Sequence, residues 1–88
     1  MKFTIIWDEM VIRDSMQEKE IKDFIASLPN AVQRNDGKEE EITFDCHDTF
    51  EAKNIEEAKQ IIRDKYHDIE FFDCKDEKGN TVFTEEDL

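Results

Sequence analysis

The chain has 88 residues, with 24 acidic side chains against 12 basic ones, a formal net charge of −12 and 41% charged residues. One small core is all this length supports, and no uninterrupted apolar run exceeds three residues, as in Met10-Val11-Ile12, far short of the roughly 20 that a membrane-spanning helix needs. The acid excess opposes direct binding to nucleic acid or to an anionic membrane.

The start alternates: Phe3, Ile5 and Trp7 share one face, and Lys2 and Thr4 the other. Period two with aromatic and β-branched residues predicts a strand. Met10 to Ile12 extend it past an expected bend at Asp8-Glu9. One positive charge and an early acid break exclude a signal peptide from this start, which points to a cytoplasmic protein.

Ser15-Met16-Gln17-Glu18 fits a capping box ahead of a helix. Ile21, Phe24, Ile25 and Leu28 then recur at helical spacing, Glu18 and Lys22 form an i,i+4 pair, and Pro29-Asn30 ends the helix. Residues 31–34 are a short strand candidate, followed by a turn at Asn35-Asp36-Gly37. The clearest strand comes next, with Ile42, Phe44, Cys46 and Phe50 on one face and Glu41, Thr43, Asp45, His47, Thr49 and Glu51 on the other. Asp48 interrupts the apolar face, so a bulge or strand end is expected there.

Asn54 caps a second helix whose stripe is Ile55, Ala58, Ile62 and Tyr66, with Ile61 beside it. A strand is predicted over Ile69 to Cys74, then a turn at Asp76-Glu77-Lys78-Gly79 and a short edge strand over 80–84. The order predicts an α+β fold of the ferredoxin-like β-α-β-β-α-β type with an extra C-terminal hairpin strand, both helices on one face of an antiparallel sheet. Without a strand at 31–34 the order becomes β-α-β-α-β-β. Residues 1–84 form the domain and 85–88 an acidic, frayed tail.

The residue types for chemistry are present but badly spaced. Cys46 and His47 are adjacent on a strand and face opposite ways, so they do not share a metal ion, and neither they nor His67 and Cys74 form a closed-site pattern. In a ferredoxin-like sheet the first strand separates the strands of Cys46 and Cys74, which argues for two reduced thiols. The Asp73–Gly79 stretch lacks the alternating ligands of a calcium loop. His47, near Asp45 and Glu51, is the one candidate base, and no phosphate loop or nucleophile elbow accompanies it. No cofactor and no enzymatic activity are expected. The central strand's outer face carries acids where an RNA-recognition sheet carries aromatic and basic groups.

The remaining signal is where the acids lie. Residues 1–44 hold ten acids and six bases, whereas residues 45–88 hold fourteen acids and six bases. Asp45, Asp48, Glu51, Asp73, Asp76 and Glu77 are the candidate partner-binding residues, and a protein with a basic surface is the expected partner. The rival reading is a protein that dimerises or pairs through its open sheet face, with Ile6, Trp7 or Phe72 exposed, its charge serving only solubility.

The stretch Thr49-Phe50-Glu51-Ala52-Lys53-Asn54-Ile55-Glu56-Glu57-Ala58 resembles a strand-to-helix junction of small phage and mobile-element proteins. In size and charge the chain resembles phage-encoded inhibitors of host defence nucleases, the anti-CRISPR and anti-restriction proteins. That resemblance implies a nucleic-acid mimic that occupies the basic groove of a nuclease complex.

Overall fold

The structure is a computed structural model that describes residues 1–12, 17–34 and 41–88. In chain order the elements are β1 (Lys2–Ile12), α1 (Glu18–Ser27), β2 (Val32–Arg34), β3 (Glu41–Glu51), α2 (Ile55–Lys65), β4 (Asp73–Lys75) and β5 (Thr81–Thr84). A 3-10 turn over Glu85–Asp87 follows. The architecture is α+β: two helices and a five-stranded antiparallel sheet in the order β2-β3-β1-β4-β5. The weak strand candidate at 31–34 is therefore present, as an edge strand. The expected Ser15 cap and the Asn35-Asp36-Gly37 turn lie outside the described residues.

Contacts group the chain into two compact units, Met1–Trp7 with Asp48–Leu88, and Asp8–His47. In the first unit, β1 pairs with β4 through Thr4–Lys75, Ile5–Cys74 and Ile6–Asp73. β4 pairs with β5, where a bulge falls between Cys74 and Lys75. Phe3, Ile5, Trp7, Ile62, Phe72 and Phe83 are buried there. Each removes an apolar side chain from water, worth roughly 1.5–3 kcal/mol apiece. Aromatic rings tie the layers together. Phe50 stacks on Phe3 at 5.9 Å, Tyr66 meets Phe50 at 6.1 Å and Trp7 at 6.2 Å, and Phe72 meets Phe83 edge-on at 6.2 Å.

Helix α2 starts as its sequence dictates. Asn54 Oδ1 accepts from the Glu57 N–H at 2.9 Å, and Ala58 and Ile62 bury its inner stripe. Arg63 and Lys65 in the last turn complement the helix dipole.

In the second unit, β2 and β3 are antiparallel, with Val32 opposite Asp45 and Arg34 opposite Thr43. Val11, Ile42, Phe44 and Cys46 are its buried side chains. Helix α1 buries none of its residues fully; Ile21, Phe24, Ile25 and Leu28 are half-buried, the face predicted from their spacing. Asn30 ends this segment with φ of 50°, a left-handed conformation that Asn tolerates, and its Nδ2 donates to the His47 carbonyl at 2.9 Å.

β1 continues past Asp8-Glu9 as expected, and Val11 keeps the buried parity of Phe3, Ile5 and Trp7. Three local expectations are corrected. β3 does not end at Asp48 but extends to Glu51. The Tyr66 hydroxyl donates to Asp48 Oδ2 at 2.5 Å, so the carboxylate has a partner on the core side. The strand predicted over Ile69–Cys74 shrinks to Asp73–Lys75, since Ile69 N–H turns back to the Tyr66 carbonyl and Phe72 N–H goes to Glu85 Oε2 at 3.1 Å. The frayed end is instead a 3-10 turn held by a capping box between Thr84 and Asp87.

Candidate functional site

The six candidate carboxylates separate by parity, by element and by partner. Asp45 lies on the outward parity of β3. Arg34, from β2, donates to it and also to Asp8 Oδ1 at 3.1 Å. The Arg34 hydrogen bond holds the Asp45 carboxyl below its usual range, and Asp45 in turn raises the guanidinium. All three groups face solvent, so water screens this cluster. Locally, Arg34 offsets part of the charge that Asp45 was expected to offer a partner.

Asp48 has the opposite parity, that of Phe44 and Cys46. It is bound by the Tyr66 hydroxyl and by the Thr49 N–H at 2.9 Å. Burial, then Asp48 itself, pushes the Tyr66 phenol well above the usual tyrosine range. Asp48 therefore does not share a face with Asp45 and Glu51.

Four candidates belong to the strand ends and hairpin of the first unit. Asp73 is exposed on β4 opposite Ile6 and Thr84. Asp76 shapes the hairpin: its Oδ1 accepts from the N–H groups of Lys78 at 2.9 Å and Asn80 at 3.0 Å, while Gly79 turns the chain at φ of 83°. Glu77 Oε1 accepts from the Lys2 N–H at 2.7 Å, and Glu51 lies 3.7 Å from the Met1 amino group. The start of β1 thus brings Glu51 and Glu77 to the same end of the sheet. Of the six, Glu51, Asp73 and Glu77 are the exposed carboxylates.

The expected apolar surface is also relocated. Trp7 and Phe72 are buried and Ile6 is half-buried. Met10, Ile12 and Val32 are exposed instead, as is Phe71 at 74%. Phe71 and Phe72 are adjacent, and an expected regular strand gave no reason to choose which would face out; Glu85 holding the Phe72 N–H decides it.

An open pocket of about 220 Å³ lies in the first unit, walled by Ile62, Tyr66, Ile69, Phe72 and Leu88. Arg63 and His67 are the basic groups of its lining. Sequence spacing placed Ile62 and Tyr66 on one helix face but gave no sign of the pocket, because its other wall depends on the irregular path of residues 69–72.

Among the described residues, no group of three or more His, Cys, Asp or Glu side chains is placed to hold a metal ion. Cys46 and Cys74 are both free and buried, and β1 lies between their strands in the sheet. Burial pushes the Cys74 thiol up to about 11 and raises Cys46 as well, which makes both poor nucleophiles at neutral pH. Among the described residues, no helix is long and apolar enough to cross a membrane. Comparison with family models, curated proteins and solved structures gives no match.

Proposed function

We propose that the protein is a non-catalytic, acidic protein-binding module that occupies the basic, nucleic-acid-binding surface of a host nuclease complex, as a phage-type inhibitor and nucleic-acid mimic. One observation carries the reading: no charged side chain is buried among the described residues, so their acid excess lies at the surface, where it is available to a partner. Glu51, Asp73 and Glu77 are the exposed members of the candidate set. Asp76 shapes the hairpin that presents Glu77, and Asp45 contributes where Arg34 leaves its charge uncompensated. The two free cysteines support a reducing, cytoplasmic setting. The element order β-α-β-β-α-β, with β1 between β3 and β4, supports a ferredoxin-like arrangement carrying β5 as the added strand.

The test is competition. Purified defence nuclease complexes bound to labelled duplex DNA are titrated with the protein and with a Glu51→Lys, Asp73→Lys, Glu77→Lys variant. Displacement by the native chain and not by the variant supports the reading. Equal displacement by both, or none by either, refutes it.

A second reading has its own observation. Met10 at 54% and Val32 at 63% exposure, with Ile12 at 44%, leave apolar side chains on the outward parity of β1 and β2. That favours pairing through the open sheet face, with the charge serving solubility. Met10→Lys with Val32→Lys abolishes such pairing and leaves DNA competition untouched.

A further inference from the structure

The segment 69–72 carries an apolar knob and one wall of an apolar hole. Phe72 is fixed inward by its edge-on contact with Phe83 and by Glu85 at its N–H. Phe71, the next residue back, is 74% exposed, more than any other large apolar side chain among the described residues. Beside it, Ile69 and Phe72 line the pocket of about 220 Å³. An enclosed apolar cavity of roughly 150 Å³ is enough to hold benzene, so this one has room for a phenyl ring.

Acids flank the knob, and a guanidinium lines the hole. Asp68, Glu70 and Asp73 flank Phe71 in the chain and are exposed. The hole carries the Arg63 guanidinium, and its His67 imidazole lies 3.2 Å from Asp68 of the same chain. A two-fold contact requires that both halves of the complementarity lie on one patch of one chain, and Phe71 stands within two residues of Ile69 and Phe72 of the pocket wall.

We propose that two copies of this chain form a symmetric dimer in which Phe71 of each seats in the pocket of the other between Ile62, Tyr66 and Leu88. Arg63 then faces the acids that flank the incoming ring. This contact uses none of Met10, Ile12 and Val32, and the inference stands whether or not the acidic residues engage a nuclease.

Sedimentation equilibrium from about 5 to 500 µM tests it, a range that brackets contacts of modest strength. The expected result is a reversible dimer whose dissociation constant rises at least roughly tenfold in Phe71→Asp, as for the loss of a central aromatic anchor. The thermal melting of that variant is expected to match the native chain, because the ring is exposed; if it does not, Phe71→Ala takes its place under the same criterion. Arg63→Glu should weaken the dimer more than Lys19→Glu, an equal change of charge on α1. A monomer throughout the range overturns the proposal. So does a dimer that the Phe71 variant leaves intact, or one that both charge variants weaken equally.

Discussion

Tyr66 and Asp48 show how one residue decides the course of a strand. An acid on the apolar parity of β3 has to be satisfied or expelled, since a buried polar group without a partner costs about 1–3 kcal/mol. The Tyr66 hydroxyl at 2.5 Å satisfies it, while the ring stays packed against Trp7 and Phe50. Tyr66→Phe keeps the ring and removes the donor. Urea unfolding should register a loss of about 1.5 kcal/mol, the low end for a hydrogen bond to a charged group because Asp48 is only half-buried. The phenol's folded-state pKa is raised, so its contribution is complete below the unfolded value near 10 and is lost as pH rises beyond it. Native protein should therefore lose stability above about pH 10 more steeply than Tyr66→Phe does. Parallel curves for the two proteins would show that the pair carries no such linkage.

At the scale of elements, the two helices contrast. Helix α2 has a side-chain cap and a buried stripe, whereas α1 begins at Gln17 without a side-chain cap bond and buries no residue fully. Asn54→Ala should cost about 1 kcal/mol and lower the melting temperature by roughly 4–8 °C; no change would mean that tertiary contacts alone hold the start of α2. Amide exchange should be slower in α2 than in α1, and the reverse order would contradict the packing described above. Elements with strong periodicity were legible without coordinates: β1, α1, β3 and α2 follow alternation, helical spacing or a cap. Residues 69–72 were not, because Ile69, Phe71 and Phe72 look like strand residues and only the distant Glu85 withdraws the Phe72 N–H from pairing. Similarly, the six carboxylates were legible as acids but not as individuals. The roles of Asp45, Asp48 and Asp76 depend on Arg34, on Tyr66 and on the Lys78 and Asn80 amides. Only the last of these contacts is local in sequence.

For the whole molecule, a net charge of −12 on 88 residues works against compactness and for solubility. Like charges spread over the surface repel over about 10 Å at 0.1 M salt, and over about 30 Å at 0.01 M. Raising sodium chloride from about 0.01 to 0.1 M should therefore raise the melting temperature. A fall over that interval would mean that attractive pairs such as Arg34 with Asp8 and Asp45 outweigh the excess. The same field gives the proposed function a direct readout. Docking of exposed carboxylates on a basic groove should be fast and strongly screened. The decisive measurement is the dissociation constant for a purified, nucleic-acid-free defence nuclease complex as a function of salt. The account predicts a steep, log-linear weakening as salt rises, with the slope reduced in the Glu51→Lys, Asp73→Lys, Glu77→Lys variant. An affinity that stays flat with salt, or a slope that the variant leaves unchanged, would contradict it.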